Sequence, residues 1–155
     1  NERFYSIDRF GKLTTNSLQK IELLTLSACN TAMSGGEKSN GLEVEGFAAL
    51  AQNQGVKSVL ATLWAVNDDS TGILMTGFYK ILNENPTIGK AEALRKAQLK
   101  LIQGEYKTLE ESTKRGVETF GQEKSEQQIP FEKDDKAPFK HPYYWSPFVL
   151  SGNWK

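Results

Sequence analysis

The chain is poor in the side chains most often used for cross-linking and metal binding: it has one cysteine, Cys29, and one histidine, His141. A single cysteine excludes an internal disulfide, and one cysteine with one histidine cannot complete a CxxC or HExxH metal site. A reducing, cytoplasmic setting without metal or cofactor is the expectation. Long hydrophobic runs are missing as well. None approaches the roughly 20 residues of a membrane span, and the polar start NERFYSIDRFGK has no signal-peptide core. Charge of either sign is not in excess: 19 Lys and Arg balance 19 Asp and Glu. Nothing therefore steers the chain toward phosphate backbones or anionic lipid, and neither nucleic acid nor membrane is expected as a partner. No internal repeat is visible.

What the sequence does contain is the alternation of an α/β fold. With 155 residues, 38% hydrophobic and 25% charged, there is enough chain for one domain with a real core. Ile21 to Ser27 is apolar and interrupted by β-branching, the signature of a strand covered on both faces, and Lys57 to Trp64 (KSVLATLW) repeats it. Between them, Val44 to Gly55 places Phe47, Leu50 and Ala51 on one helical face, with Gly55 just past the helix end. After Trp64, Asp68, Asp69 and Ser70 are candidate N-caps of a helix carrying Ile73, Leu74, Gly77, Phe78, Ile81 and Leu82 toward Asn83. Pro86 and Gly89 punctuate. A third helix then has Ala91, Leu94, Ala97, Gln98 and Leu101 on one stripe and ends at Gly104. From Glu105 to Lys140 the chain is charge-rich and poor in aliphatic periodicity, which reads as a solvent-facing polar insertion, partly helical or mobile. A last strand is expected from Trp145 to Ser151, with Pro147 favouring a sheet edge or a strand start.

This order predicts an open, mostly parallel sheet with helices on both faces, in which ligands meet the carboxyl ends of the strands. Cys29 and Asp68 both follow such ends. That placement separates Cys29 from the ordinary buried thiol, which would sit inside the apolar run rather than at its end. Other candidates have simpler readings. The acidic pair Glu43 and Glu45 stands before a helix and favours its dipole. The loop GGEKSNG lacks the GxxxxGK[ST] spacing of a phosphate-binding loop. Trp64, Tyr143, Tyr144 and Trp145 are core or wall aromatics, Trp64 most suited to the wall of a binding pocket because it ends a strand.

Four blocks in order, LLTLSACNTA, GLEVEGFAALAQNQGVKSVLATLWAVNDDSTGILMTGFYKIL, KAEALRKAQLKLI and HPYYWSPFVLSG, resemble the CHAT domain, a family of caspase-like cysteine peptidases. The resemblance covers nearly the whole chain apart from Glu105 to Lys140, and makes residues 1–155 the C-terminal portion of one such domain. It implies a caspase-hemoglobinase-like sheet in which Cys29, in the block SACNT, is the nucleophile of a His-Cys dyad. The family's histidine lies in an upstream H-G motif, before the point at which this sequence begins. His141, at the head of HPYYW, matches the approach to the family's final strand and is expected to be a turn residue. The resemblance further implies a protein or peptide substrate and N-terminal repeat or sensor segments. The stretch LWAVNDDS is similar to a loop of the related separases whose acidic residue receives a basic P1 side chain, which makes Asp68, beside Trp64, a candidate substrate-binding residue. The alternative is a protein-interaction scaffold that keeps the caspase-like sheet and has lost the dyad.

Overall fold

The computed structural model describes residues 18–26, 41–64, 66–105 and 134–155. They fall into two units, Asn1–Val66 with Ser146–Lys155, and Asn67–Trp145. The architecture is α/β, with a small open sheet.

The first unit contains strand β1 (Leu24–Leu26), helix α1 (Gly41–Asn53), strand β2 (Ser58–Thr62) and strand β3 (Phe148–Gly152). The strand order is β1-β2-β3. β1 pairs with β2 in parallel, Leu24 opposite Val59 and Leu26 opposite Ala61. β3 returns antiparallel to β2, from Ser58 opposite Gly152 to Thr62 opposite Phe148. The strand-helix-strand unit expected between Ile21 and Trp64 is present, with two differences of extent. β1 begins at Leu24 rather than Ile21, where the chain leaves a turn in which the Ile21 N–H donates to the Leu18 carbonyl at 2.9 Å, and the expected strand end at Ser27 lies outside the described residues. α1 turns small residues, not large ones, inward: Ala48 and Ala51 are buried, whereas Phe47 and Leu50 are only partly so. Alanines one turn apart let the helix lie close on β2.

Every residue of β2 is buried. Val59 and Ala61 join Ala48, Ala51 and Val56 in one apolar cluster, against which Leu18, Ile21, Leu24 and Leu26 pack from their partly buried positions. The last strand closes the unit through Gly152. Its φ of +91° is left-handed, and a Cβ there would run into the Lys57 carbonyl, so this position favours glycine on both counts. The Asn153 N–H then donates to the same carbonyl at 2.8 Å. Pro147 precedes β3 and is buried, consistent with its expected place at a strand start.

The second unit is built on helices α2 (Asp68–Glu84) and α3 (Lys90–Gln103), which pack on each other. Leu74, Gly77, Phe78 and Ile81 of α2, and Ala93, Leu94, Ala97 and Leu101 of α3, are the buried positions. The α3 stripe thus passes through Ala93, and Ala91 is exposed. The end of α3 is as expected: Gly104 is left-handed at φ +72°, and its N–H bonds back to the helix. Beyond it, residues 106–133 lie outside the described part. The stretch from Asp134 to Lys140, expected to face solvent, buries Ala137 and Phe139. The Phe139 ring meets Tyr144 edge-on, with centroids 5.1 Å apart, and Tyr144 meets Tyr143 likewise at 5.4 Å. Burial, together with the neighbouring Tyr143, pushes the Tyr144 hydroxyl above its usual range.

Candidate functional site

Parallel pairing decides where a site can stand in the first unit. Because β1 and β2 run the same way and Leu26 lies opposite Ala61, their carboxyl ends finish on one edge of the sheet. Cys29 is three residues beyond β1 in sequence and lies outside the described residues, as do its neighbours Ser27, Ala28 and Thr31 and the loop GGEKSNG. On the β2 side of this edge the chain continues through Leu63, whose N–H donates to the Pro147 carbonyl at 3.0 Å and prolongs the β2–β3 pairing. Trp64 follows, with 37% of its surface exposed. Trp64 thus follows the carboxyl end of β2 with part of its side chain in contact with solvent.

The segment that leads into β1 is held from β2 by polar groups that sequence reasoning did not single out. The Lys57 N–H donates to the Ile21 carbonyl at 3.0 Å. The hydroxyl of Ser58, a residue with no exposed surface, donates to the Glu22 carbonyl. The Lys57 ammonium forms an ion pair with the Glu22 carboxylate in the open. A serine inside the apolar run KSVLAT was the available signal, since a buried hydroxyl must find a partner.

Asp68 belongs to the second unit. It and Asp69 are exposed in the first turn of α2, where the positive end of the helix dipole favours both carboxylates. Neither is the cap. That role falls to Asn67, whose side-chain oxygen accepts from the Ser70 N–H at 3.1 Å, while the buried Ser70 hydroxyl donates to the Asn67 carbonyl at 2.9 Å. The expected caps Asp68, Asp69 and Ser70 pass over Asn67, although Asn, Asp and Ser are close to equal as caps.

His141 is a turn residue. Its Nδ1 accepts from the Tyr143 N–H at 3.2 Å and caps the short 3-10 turn Pro142–Tyr144. The turn is tied down further by Gln98 of α3, whose amide donates to the Trp145 carbonyl at 3.0 Å, and by the Trp145 indole N–H, which donates to the Lys140 carbonyl at 3.0 Å. Glu45 is exposed near the start of α1. Among the described residues no group of three His, Cys, Asp or Glu side chains is arranged to hold a metal ion. No helix among them is long and apolar enough to cross a membrane.

The family model described as the CHAT domain matches residues 4–153. No curated protein and no solved structure matches the chain.

Proposed function

The chain belongs to the CHAT domain family, a caspase-like, peptidase-related family, and from that premise we propose that it is the nucleophile-bearing part of a cysteine endopeptidase that cleaves a protein partner. The observation that carries this reading is the family match over 4–153, which takes in the block SACNT with Cys29. The parallel β1–β2 pair supports it, since the strand that precedes Cys29 ends at the edge where ligands meet such sheets.

In the proposed reaction a histidine carried upstream of Asn1 takes the proton of the Cys29 thiol. A free thiol with a pKa near 8.5 is only a few per cent thiolate at neutral pH, so the imidazole is needed to raise that fraction. The thiolate adds to the scissile carbonyl carbon, and the oxyanion is held by backbone N–H groups, that of Cys29 among them. The C–N bond then breaks, and the departing amine takes the proton from the imidazolium. Water, deprotonated by the same imidazole, hydrolyses the thioester and restores the thiol. Asp68 receives a basic P1 side chain, and Trp64 is a further substrate-binding residue. The domain acts in the cytoplasm under the control of regulatory segments elsewhere in its protein.

The test is cleavage of an unbiased peptide library by the full-length protein beside its Cys29→Ala variant. Cleavage by the unsubstituted protein alone, with basic residues at P1, is the expected result, and Asp68→Asn then removes the P1 preference. An apolar or acidic P1 removes Asp68 from the pocket. Cleavage by neither, with a Cys29 thiol that alkylates as slowly as a free cysteine at pH 6, marks the domain as a scaffold.

A further inference from the structure

β1 is a short strand to carry a nucleophile. It has three ladder positions, and all three residues are only partly buried. Side chains alternate along a strand, so a slip of one residue would turn Leu24 and Leu26 away from the apolar cluster and move the following chain by about 3.3 Å. Partial burial of two leucines is a weak guard against that. The groups that fix the register lie just before the strand: the Lys57 N–H on the Ile21 carbonyl, and the Ser58 hydroxyl on the Glu22 carbonyl. The second of these is the stronger constraint. Ser58 has no exposed surface, its backbone is set in β2, and it stands opposite Gly152 of β3. Its hydroxyl thus refers the entry of β1 to the centre of the sheet. The Lys57–Glu22 ion pair, with about half of each side chain exposed, adds little.

We infer that Ser58 is a positioning residue for the nucleophile strand: its buried hydroxyl, bonded to the Glu22 carbonyl, sets the register of β1 and through it the delivery of Cys29. The inference rests on the peptidase reading of Cys29. It requires that loss of the Ser58 hydroxyl act on the chemical step rather than on substrate binding, because the bond removed leads to the segment before β1 and to neither Trp64 nor Asp68.

The experiment compares Ser58→Ala with Gln52→Ala in the full-length protein. Gln52 of α1 donates an exposed hydrogen bond to the Ser151 hydroxyl at 2.9 Å in the same unit, and its removal serves as the loss of a side-chain bond away from β1. Thermal midpoints, kcat and KM on the best library peptide, and the alkylation rate of Cys29 from pH 5 to 9 are measured for each. Ser58→Ala is expected to lower kcat about tenfold with KM within about twofold, and to move the pH profile of alkylation, as a displaced nucleophile does. Gln52→Ala leaves kcat and the profile unchanged. If Ser58→Ala does not fold, Ser58→Cys keeps the packing with a weak donor and carries the kcat comparison. Equal effects of the two substitutions, or a change in KM alone, overturn the inference while the peptidase reading stands. Absence of any Cys29-dependent cleavage overturns both.

Discussion

β1 and β2 lie side by side in one sheet and are held in place by different means. β2 is five residues long, paired on both sides and buried throughout. β1 is three residues long, partly buried, and clasped from β2 by polar groups around Glu22. A strand held by burial is fixed by side-chain volume. A strand held by a few directional bonds is fixed by where those bonds fall, and small changes can move it. In a domain of this family the second kind of strand is the one that precedes Cys29.

The sharpest way to break the comparison is to remove volume from each strand. Leu60→Ala, at 1% exposure in β2, is expected to cost about 3 kcal/mol as transfer and cavity contributions add. Its midpoint in urea should fall accordingly. Leu24→Ala in β1 is expected to cost about 1 kcal/mol, since only part of that side chain is removed from water. Equal losses would mean that β1 is held by burial after all. Smallest of the three is Glu22→Gln, which removes the ion pair with Lys57 but keeps the backbone carbonyl that Ser58 uses. It is expected to cost no more than about 0.5 kcal/mol, and the difference should vanish in about 0.5 M salt. A larger, salt-resistant loss would move the burden from the Ser58 hydroxyl to the ion pair.

Most of the architecture was legible in the sequence because hydrophobic period and punctuation agreed. The apolar spacing from Leu74 to Ile81 and the glycine at 104 located two helices and one helix end. The discrepancies have local causes. Ala91 and Ala93 are both small and apolar, and only the contact with α2 decides which faces inward. The cap is Asn67, one residue before the three expected candidates, all of similar capping strength. Ala137 and Phe139 were hidden in a run dominated by lysine and aspartate, where two buried side chains leave no periodic trace. At the candidate site, Cys29, Asp68 and Trp64 were chosen by strand ends and family blocks. Ser58 was missed because a serine in a buried strand reads as a filler. Its meaning depends on a carbonyl 36 residues away, a pairing that no local pattern announces.

One feature of the second unit reaches beyond stability. Gly104 ends α3 so close to the backbone of Lys136 that a Cβ there would strike its carbonyl oxygen. The departure point of the chain after α3 and its point of return are therefore neighbours, each fastened independently: one by the helix end, the other by Ala137 and Phe139. The two-helix unit thus holds the end of α3 and the chain at Lys136 at one place, so that a side chain at position 104 would disturb both at once.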